Sequence, residues 1–246
     1  MQFQATVLAA IMATLTSAQT LNIPTRSGGI ISLSQPSSIS GSVDFGNKEY
    51  DRGRACNSDA DTGSDSAVFI LNNGASISNV IIGANQLEGV HCRGACTLTN
   101  VWFRDVCEDA VSALGNGDVM IRGGGANGAA DKVVQHNGRG TVTIENYTVT
   151  NVGKVYRSCG NCSGNGGARK VVIRNLRANG VNSDIAGINS NYGDTATVSG
   201  SCGSTKKVCQ EFTGIDKAKT SGDSPKLTSN GACLGAQGKL AKLPAC

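Results

Sequence analysis

Short apolar runs recur along this chain, each alternating with polar positions and each closed by Asn or Gly. Ala75-Ser-Ile77-Ser-Asn79-Val80, Cys96-Thr-Leu98-Thr-Asn100-Val101 and Val119-Met-Ile121-Arg-Gly123 are the first three copies. Val142-Thr-Ile144-Glu-Asn146-Tyr147, Val171-Val-Ile173-Arg-Asn175-Leu176 and a weaker Thr195-Ala-Thr197-Val198-Ser-Gly200 follow. Their central apolar residues, Ile77, Leu98, Ile121, Ile144, Ile173 and Val198, lie 21, 23, 23, 29 and 25 residues apart. Period-two alternation predicts strands with one buried face. Asn and Gly tolerate the left-handed backbone that a tight corner needs.

No amphipathic helix of ten or more residues separates the copies, which argues against a βαβ fold or a TIM barrel. Strands at 20-odd-residue intervals without helices predict an all-β, single-domain solenoid, a right-handed parallel β-helix. The rival is a β-sandwich, whose strands recur more often and pair antiparallel. Successive coils of a β-helix stack about 4.8 Å apart. Asn79, Asn100, Asn146 and Asn175 are then expected to form part of an internal amide ladder, interrupted by Gly123. Uncovered ends would expose strand edges. Residues 19–45 are expected to cap one end, and the Cys-rich residues 201–246 to form the other cap or a wrapping tail.

A chain of 246 residues suits one all-β domain. Residues 1–18 read as a signal peptide, with an apolar stretch from Val7 to Leu15 and small residues through Ala18. That stretch is too short to span a bilayer. The expected product is secreted, extracellular, soluble and monomeric, starting near Gln19, with no membrane partner. Ten cysteines follow the leader: Cys56, Cys92, Cys96, Cys107, Cys159, Cys162, Cys202, Cys209, Cys233 and Cys246. Their even number points to disulfides whose pairing stays open at this stage. Cys159-Gly-Asn-Cys162 also matches a redox motif, or half of a zinc site with Cys92 and Cys96, but it lacks a βαβ context. Aromatics are only 4%, so Val, Ile, Leu and Ala must fill the core. A net charge of +4 favours an acidic partner weakly. No basic run interleaved with aromatics is present, which argues against nucleic acid.

The same period organises the charges. Glu88, the pair Glu108-Asp109, Lys132, and then Lys154 with Arg157 follow in steps of 20, 23 (from Asp109) and 22 residues. On a solenoid they stack on one face, acids at one end and bases at the other. Glu88, Glu108 and Asp109 offer carboxylate oxygens to Ca²⁺, which takes six to eight oxygen ligands in irregular geometry. The plainer alternative is three solvated surface acids. Against it, Glu108-Asp109 lies between Val106 and Ala110-Val111, where adjacent acids repel unless a cation offsets them. Lys132, in a run with few other charges, is either a snorkelling side chain or a base whose pKa neighbouring cations lower. Lys154 and Arg157 place two cations near one anionic group, and Arg can grip a carboxylate through two parallel hydrogen bonds.

His91 and His136, the only histidines, are expected to be structural or surface groups. No Gly-x-Ser-x-Gly is present, and Gly123-Gly-Gly125 does not open a helix as a phosphate loop would. Asn146-Tyr-Thr148 and Asn161-Cys-Ser163 match the N-glycosylation acceptor pattern.

Four motifs in order carry a resemblance: Glu88-Gly-Val-His-Cys92, Val106-Cys-Glu-Asp-Ala110, Gly123-Gly-Gly-Ala126 with Asp131-Lys132-Val133, and Gly153-Lys-Val-Tyr-Arg-Ser-Cys-Gly-Asn-Cys162. From about Gly41 to about Asp194 the chain resembles family 3 polysaccharide lyases, the secreted fungal pectate lyases. The resemblance implies a small parallel β-helix that cleaves polygalacturonate of plant cell walls by β-elimination with Ca²⁺, giving unsaturated oligogalacturonates. Position by position, Glu88, Glu108 and Asp109 match calcium-binding acids, and Lys132 matches the proposed base for the C5 proton. Lys154 and Arg157 match cations that hold uronate carboxylates. A cationic base implies an alkaline optimum; an acidic one would contradict Lys132 and leave Arg157 as next candidate. Two departures stand out. Ser112-Ala113-Leu114 replaces the Thr-x-Lys of many members, and the acid many carry ahead of the strand at Val68-Phe69 is either Asp61 or Asp65. Rival functions are a polygalacturonase-type hydrolase, a methyl-pectin lyase without need of the acids, and a non-catalytic β-helical module binding acidic polysaccharide.

Overall fold

The computed structural model describes residues 21–57 and 62–246. Residues 1–18, Gln19 and Asp61 lie outside them. Among the described residues, eighteen strands pair almost wholly in parallel, and they wind into a β-helix of three sheets. The aligned apolar residues form one continuous rung in the first sheet. Ile77 pairs with Leu98, Leu98 with Ile121, Ile121 with Ile144, Ile144 with Ile173, and Ile173 with Val198. All six are buried. An earlier copy, Val43, pairs with Ile77. Ser37–Ile39 and Ser42–Asp51 therefore supply the three sides of a first coil, so residues 37–45 of the expected 19–45 cap belong to the stack. The sequence hid this because 34 residues separate Val43 from Ile77.

The corner between the first and second sheets is where the Asn positions fall. Asn79, Asn100, Asn146 and Asn175 have φ of 50–53°, the left-handed conformation. Asn100 donates to Asn79 Oδ1 at 3.1 Å, and Asn79 donates to Asp44 at 2.9 Å. Asn175 donates to Asn146 Oδ1 at 3.0 Å. The ladders are real but lie on the outer corner, partly in solvent, not inside the coil as expected. A left-handed residue turns the chain out of one sheet into the next, so its side chain runs along the edge of the stack. Gly123 ends the first ladder: a Cβ there would sit 2.4 Å from Asn100 Oδ1.

All ten cysteines pair, as Cys56–Cys107, Cys92–Cys96, Cys159–Cys162, Cys202–Cys246 and Cys209–Cys233. This removes the zinc reading of Cys92, Cys96, Cys159 and Cys162, since disulfide sulfurs offer no thiolate. Residues 202–212 form a full strand on the last coil. The chain then leaves the stack, pairs Lys226 antiparallel to Phe212, and returns through Cys233–Leu234 against Thr195–Ser199. No helix among the described residues is long and apolar enough to cross a membrane.

Candidate active site

Four of the six charged residues open strands of the third sheet. Those strands are Glu88–Cys92, Asp109–Ala113, Lys132–His136 and Lys154–Ser158. Lys132 pairs with Asp109 on one side and Lys154 on the other. Pairing of Val90 with Val111 sets Glu88 level with Asp109. Glu108 lies in the turn just ahead, its N–H bonded to Leu87. Arg157 belongs to a neighbouring column, between Gln135 and Gly187, and reaches the same cleft by its length.

Two hollows adjoin along this face. A hollow of about 180 Å³ is lined by Glu88, Glu108, Asp109, His91 and Leu114, among others. A cleft of about 410 Å³ is lined by Lys132, Lys154, Arg157, Asp131 and residues of the C-terminal tail. Gln135 borders both. Glu88 is buried and accepts from the Thr62 N–H at 3.0 Å, with His91 Nε2 at 3.1 Å from its other oxygen. His91 therefore sits in the site, where the sequence suggested only a structural or surface group. Ser64 holds its Nδ1 at 3.0 Å. Asp65 does not line the acidic hollow. Leu114 does, so the residue replacing the family's Lys is apolar beside the acids.

Among the described residues, no three acids, histidines or cysteines converge closely enough to chelate a metal as they stand. The Lys132 ammonium lies against the acids instead, 3.2 Å from Asp109 and 3.5 Å from Glu108. It is also 2.8 Å from Asp131, which accepts from Lys154 at 2.6 Å. Burial, then Glu108, push Asp109 above the usual carboxylate range against the pull of Lys132. Burial opposes the Lys132 charge, but Asp109, Asp131 and Glu108 outweigh it and raise its pKa above the ordinary lysine range. The expected depression by neighbouring cations is reversed, because its nearest neighbours are carboxylates. Asp131 had only its position, directly before Lys132, to signal its part in the site.

Arg157 is held on all sides. Its guanidinium donates to Asn189 Oδ1 at 2.9 Å and Ser224 Oγ at 3.1 Å, and lies 3.9 Å over the Phe212 ring. Burial pulls its pKa down to about 10, against Asp184, Asp194 and Asp131. A buried Asp184 oxygen has no hydrogen-bond partner. Asn189 and Phe212 stack in register at the ends of adjacent strands, but being uncharged they stood outside the charge pattern, and Ser224 lies in the irregular tail. His136 is buried and bonded to Tyr156 at 2.8 Å, away from the cleft lining. Of the glycosylation candidates, Asn146 is exposed on the ladder corner. Asn161 borders the cleft and donates to Gly222 O at 3.3 Å.

A stack that sets carboxylates beside ammonium groups along an open groove suits an acidic polysaccharide. Comparison with known proteins decides which enzymes share it. A model of the pectate lyase family matches residues 20–219. The chain belongs to the pectate lyase family. "Probable pectate lyase E" of Neosartorya fischeri is 52% identical over 192 residues, covering 77% of this chain and 75% of the relative. Pectate lyase E of Emericella nidulans is 46% identical over 211 residues, covering 83% and 80%. Among solved structures, the catalytic domain of pectate lyase PelI from Erwinia chrysanthemi superposes with a TM-score of 0.72 at 33% identity, covering 85% of this chain and 98% of that one. PelI has also been solved with tetragalacturonic acid, at a TM-score of 0.69, 34% identity and coverage of 82% and 67%. The pectate lyase described here shares their β-helix.

Proposed function

We propose that this pectate lyase is a secreted, calcium-dependent enzyme that cleaves α-1,4-linked polygalacturonate by β-elimination, releasing unsaturated oligogalacturonates. The observation that carries it is the junction at Lys132, where the acidic hollow meets the basic cleft. Glu88, Glu108 and Asp109 fit a hard cation by donor type, since all offer carboxylate oxygen, and the Lys132 ammonium 3.2 Å from Asp109 Oδ1 shows that this oxygen faces a positive charge. These three would hold Ca²⁺. When bound, it would offset their charge and that of a uronate carboxylate, and so favour charge developing at C5.

The chain's own groups do the rest. Lys154 and Arg157 hold and orient uronate carboxylates, in keeping with the saccharide in the PelI complex. Lys132 accepts the C5 proton, and the electron pair left at C5 expels the C4 oxygen as the double bond forms. The second reading makes Arg157 the acceptor. Its pKa of about 10 favours that reading, since the carboxylates around Lys132 hold that proton tightly.

The test is polygalacturonate turnover followed by ultraviolet absorbance, with and without chelator. Unsaturated product that disappears with chelator supports the proposal. Reducing ends without absorbance would mean hydrolysis, and binding without product a non-catalytic module. Lys132→Ala is expected to abolish turnover while sparing folding and binding. Surviving turnover would pass the proton-acceptor role to Arg157.

A further inference from the structure

The family match ends at residue 219, yet the cleft does not. Asp223, Ser224 and Lys226 line it together with Lys132, Lys154 and Arg157. We propose that the tail segment 213–227 is a wall of the substrate cleft, in which Ser224 positions Arg157 and Lys226 binds a further uronate carboxylate. This rests on the polygalacturonate reading above.

The segment is fixed in place. Its backbone pairs with the end of the last rung: Thr213 N–H donates to Pro225 O at 2.9 Å, and Leu227 N–H to Glu211 O at 2.9 Å. Gln210 donates to Leu227 O at 2.8 Å. Glu211 accepts from Ser229 Oγ and the Ala232 N–H, each at 2.7 Å. The Cys209–Cys233 disulfide closes the loop behind it.

Within that frame the Ser224 hydroxyl has a set direction. It donates to Thr213 O at 2.8 Å, which leaves an oxygen lone pair for Arg157 Nη2 at 3.1 Å. Asn189 is oriented in the same way: its amide N–H groups go to Ser158 Oγ and Cys159 O, turning Oδ1 toward Arg157. Both acceptors are neutral, so they aim the guanidinium without neutralising it. Asp184, Asp194 and Asp131 offset part of its charge through space, and its cleft side is left to an anion. Phe212, from the rung that anchors the segment, supplies the platform beneath.

Lys226 is exposed on this wall. Asp223 lies there with the opposite charge, which would keep a polyanion toward the Lys226 end of the wall. A polymer bearing one carboxylate per sugar would then meet Lys154, Arg157 and Lys226 in turn.

The test is calorimetric binding of saturated tetragalacturonate at low ionic strength, together with steady-state turnover of the polymer. Lys226→Gln is expected to weaken binding about threefold, the scale of one exposed ion contact, and to raise KM with kcat unchanged. The loss should disappear at high salt. Lys239→Gln, on an exposed tail lysine away from the cleft, should change neither quantity. Ser224→Ala is expected to lower kcat about tenfold, the scale of a hydrogen bond to a charged group. Ser224→Thr, which keeps the hydroxyl, should recover it. Wild-type binding and KM in Lys226→Gln overturn the Lys226 contact, and wild-type kcat in Ser224→Ala overturns the positioning role. Binding that depends on Lys226 in a protein that makes no unsaturated product would sustain the wall and sink the lyase reading. Absence of any binding to the wild type would overturn both.

Discussion

Gly187 packs against the Arg157 side chain, and Gly187→Ala tests whether the guanidinium must stay where it lies. A Cβ at Gly187 would come 2.8 Å from Arg157 Cδ, 2.9 Å from Asp184 Oδ2 and 3.2 Å from the Phe212 ring. The first two are closer than real Cβ contacts, so an atom must move. The Gly187 backbone is paired with Gln210 on one side and Arg157 on the other, so it cannot retreat. Phe212, 3.9 Å from the guanidinium carbon, closes off movement toward its ring. Arg157 must therefore slide along the cleft and strain its bonds to Asn189 and Ser224. Overpacking of this kind costs about 1–3 kcal/mol of stability. A displacement of about 1 Å in a reacting or orienting group costs about 100-fold in rate. We expect urea unfolding to show a folded, modestly destabilised protein. We expect kcat on polygalacturonate, read by ultraviolet absorbance at saturating substrate, to fall about 100-fold. A variant that keeps kcat within about twofold while losing the expected stability would refute the claim that Arg157 acts from this position.

Two further outcomes follow from titrating groups. Burial lowers the Arg157 pKa from the ordinary arginine range to about 10, so its neutral fraction grows as pH rises. If it is the acceptor, kcat/KM should climb about tenfold per pH unit from neutrality and level off near 10. An optimum below neutrality would exclude Arg157 as well as Lys132, contrary to the expectation from sequence that it would leave Arg157, because a guanidinium titrating near 10 is also charged at acidic pH. His136 is held neutral by burial, then by Arg169 and Arg139, with a pKa of about 3 against 6.5 when free. Its folded pKa is depressed, so the stability it supports is present above 6.5 and is lost as pH falls toward 3. The difference amounts to roughly 3–5 kcal/mol. Urea midpoints across pH 3–7 should show a shallower loss in His136→Gln than in the wild type, and equal slopes would contradict the assignment.

The rung Ile77 to Val198 was legible because alternation and residue count carry the same information in a parallel stack. Each coil adds one apolar residue at one height, and the Asn or Gly after it marks the corner. The column Glu88, Asp109, Lys132 and Lys154 was legible for the same reason, since each opens its strand. Arg157 was found through its motif but lies one column away, because a three-residue offset on a strand is not a stacking relation. Asp131, Asn189, Phe212 and Ser224 escaped. Asp131 acts by side-chain reach across two lysines, Asn189 and Phe212 are uncharged residues paired at strand ends, and Ser224 arrives through a tail of irregular length. The charge state of Lys132 was misread because sequence spacing showed the cations ahead of it but not which neighbours its ammonium would touch. Disulfide partners such as Cys56 and Cys107 are 51 residues apart and meet only once the coils are stacked.

The tail wall leaves the stack just beyond Cys209 and rejoins it at Cys233, and those two sulfurs are bonded to each other. Cys202 and Cys246 close a second, outer ring around the first. A single backbone break anywhere between residues 210 and 232 would therefore yield two polypeptides but not two molecules. The severed ends would stay joined through both bridges, and the wall would keep most of its contacts. Continuity of the chain and integrity of the cleft are thus separable properties here. After a single cut, separating the two pieces also requires the reduction of both bridges.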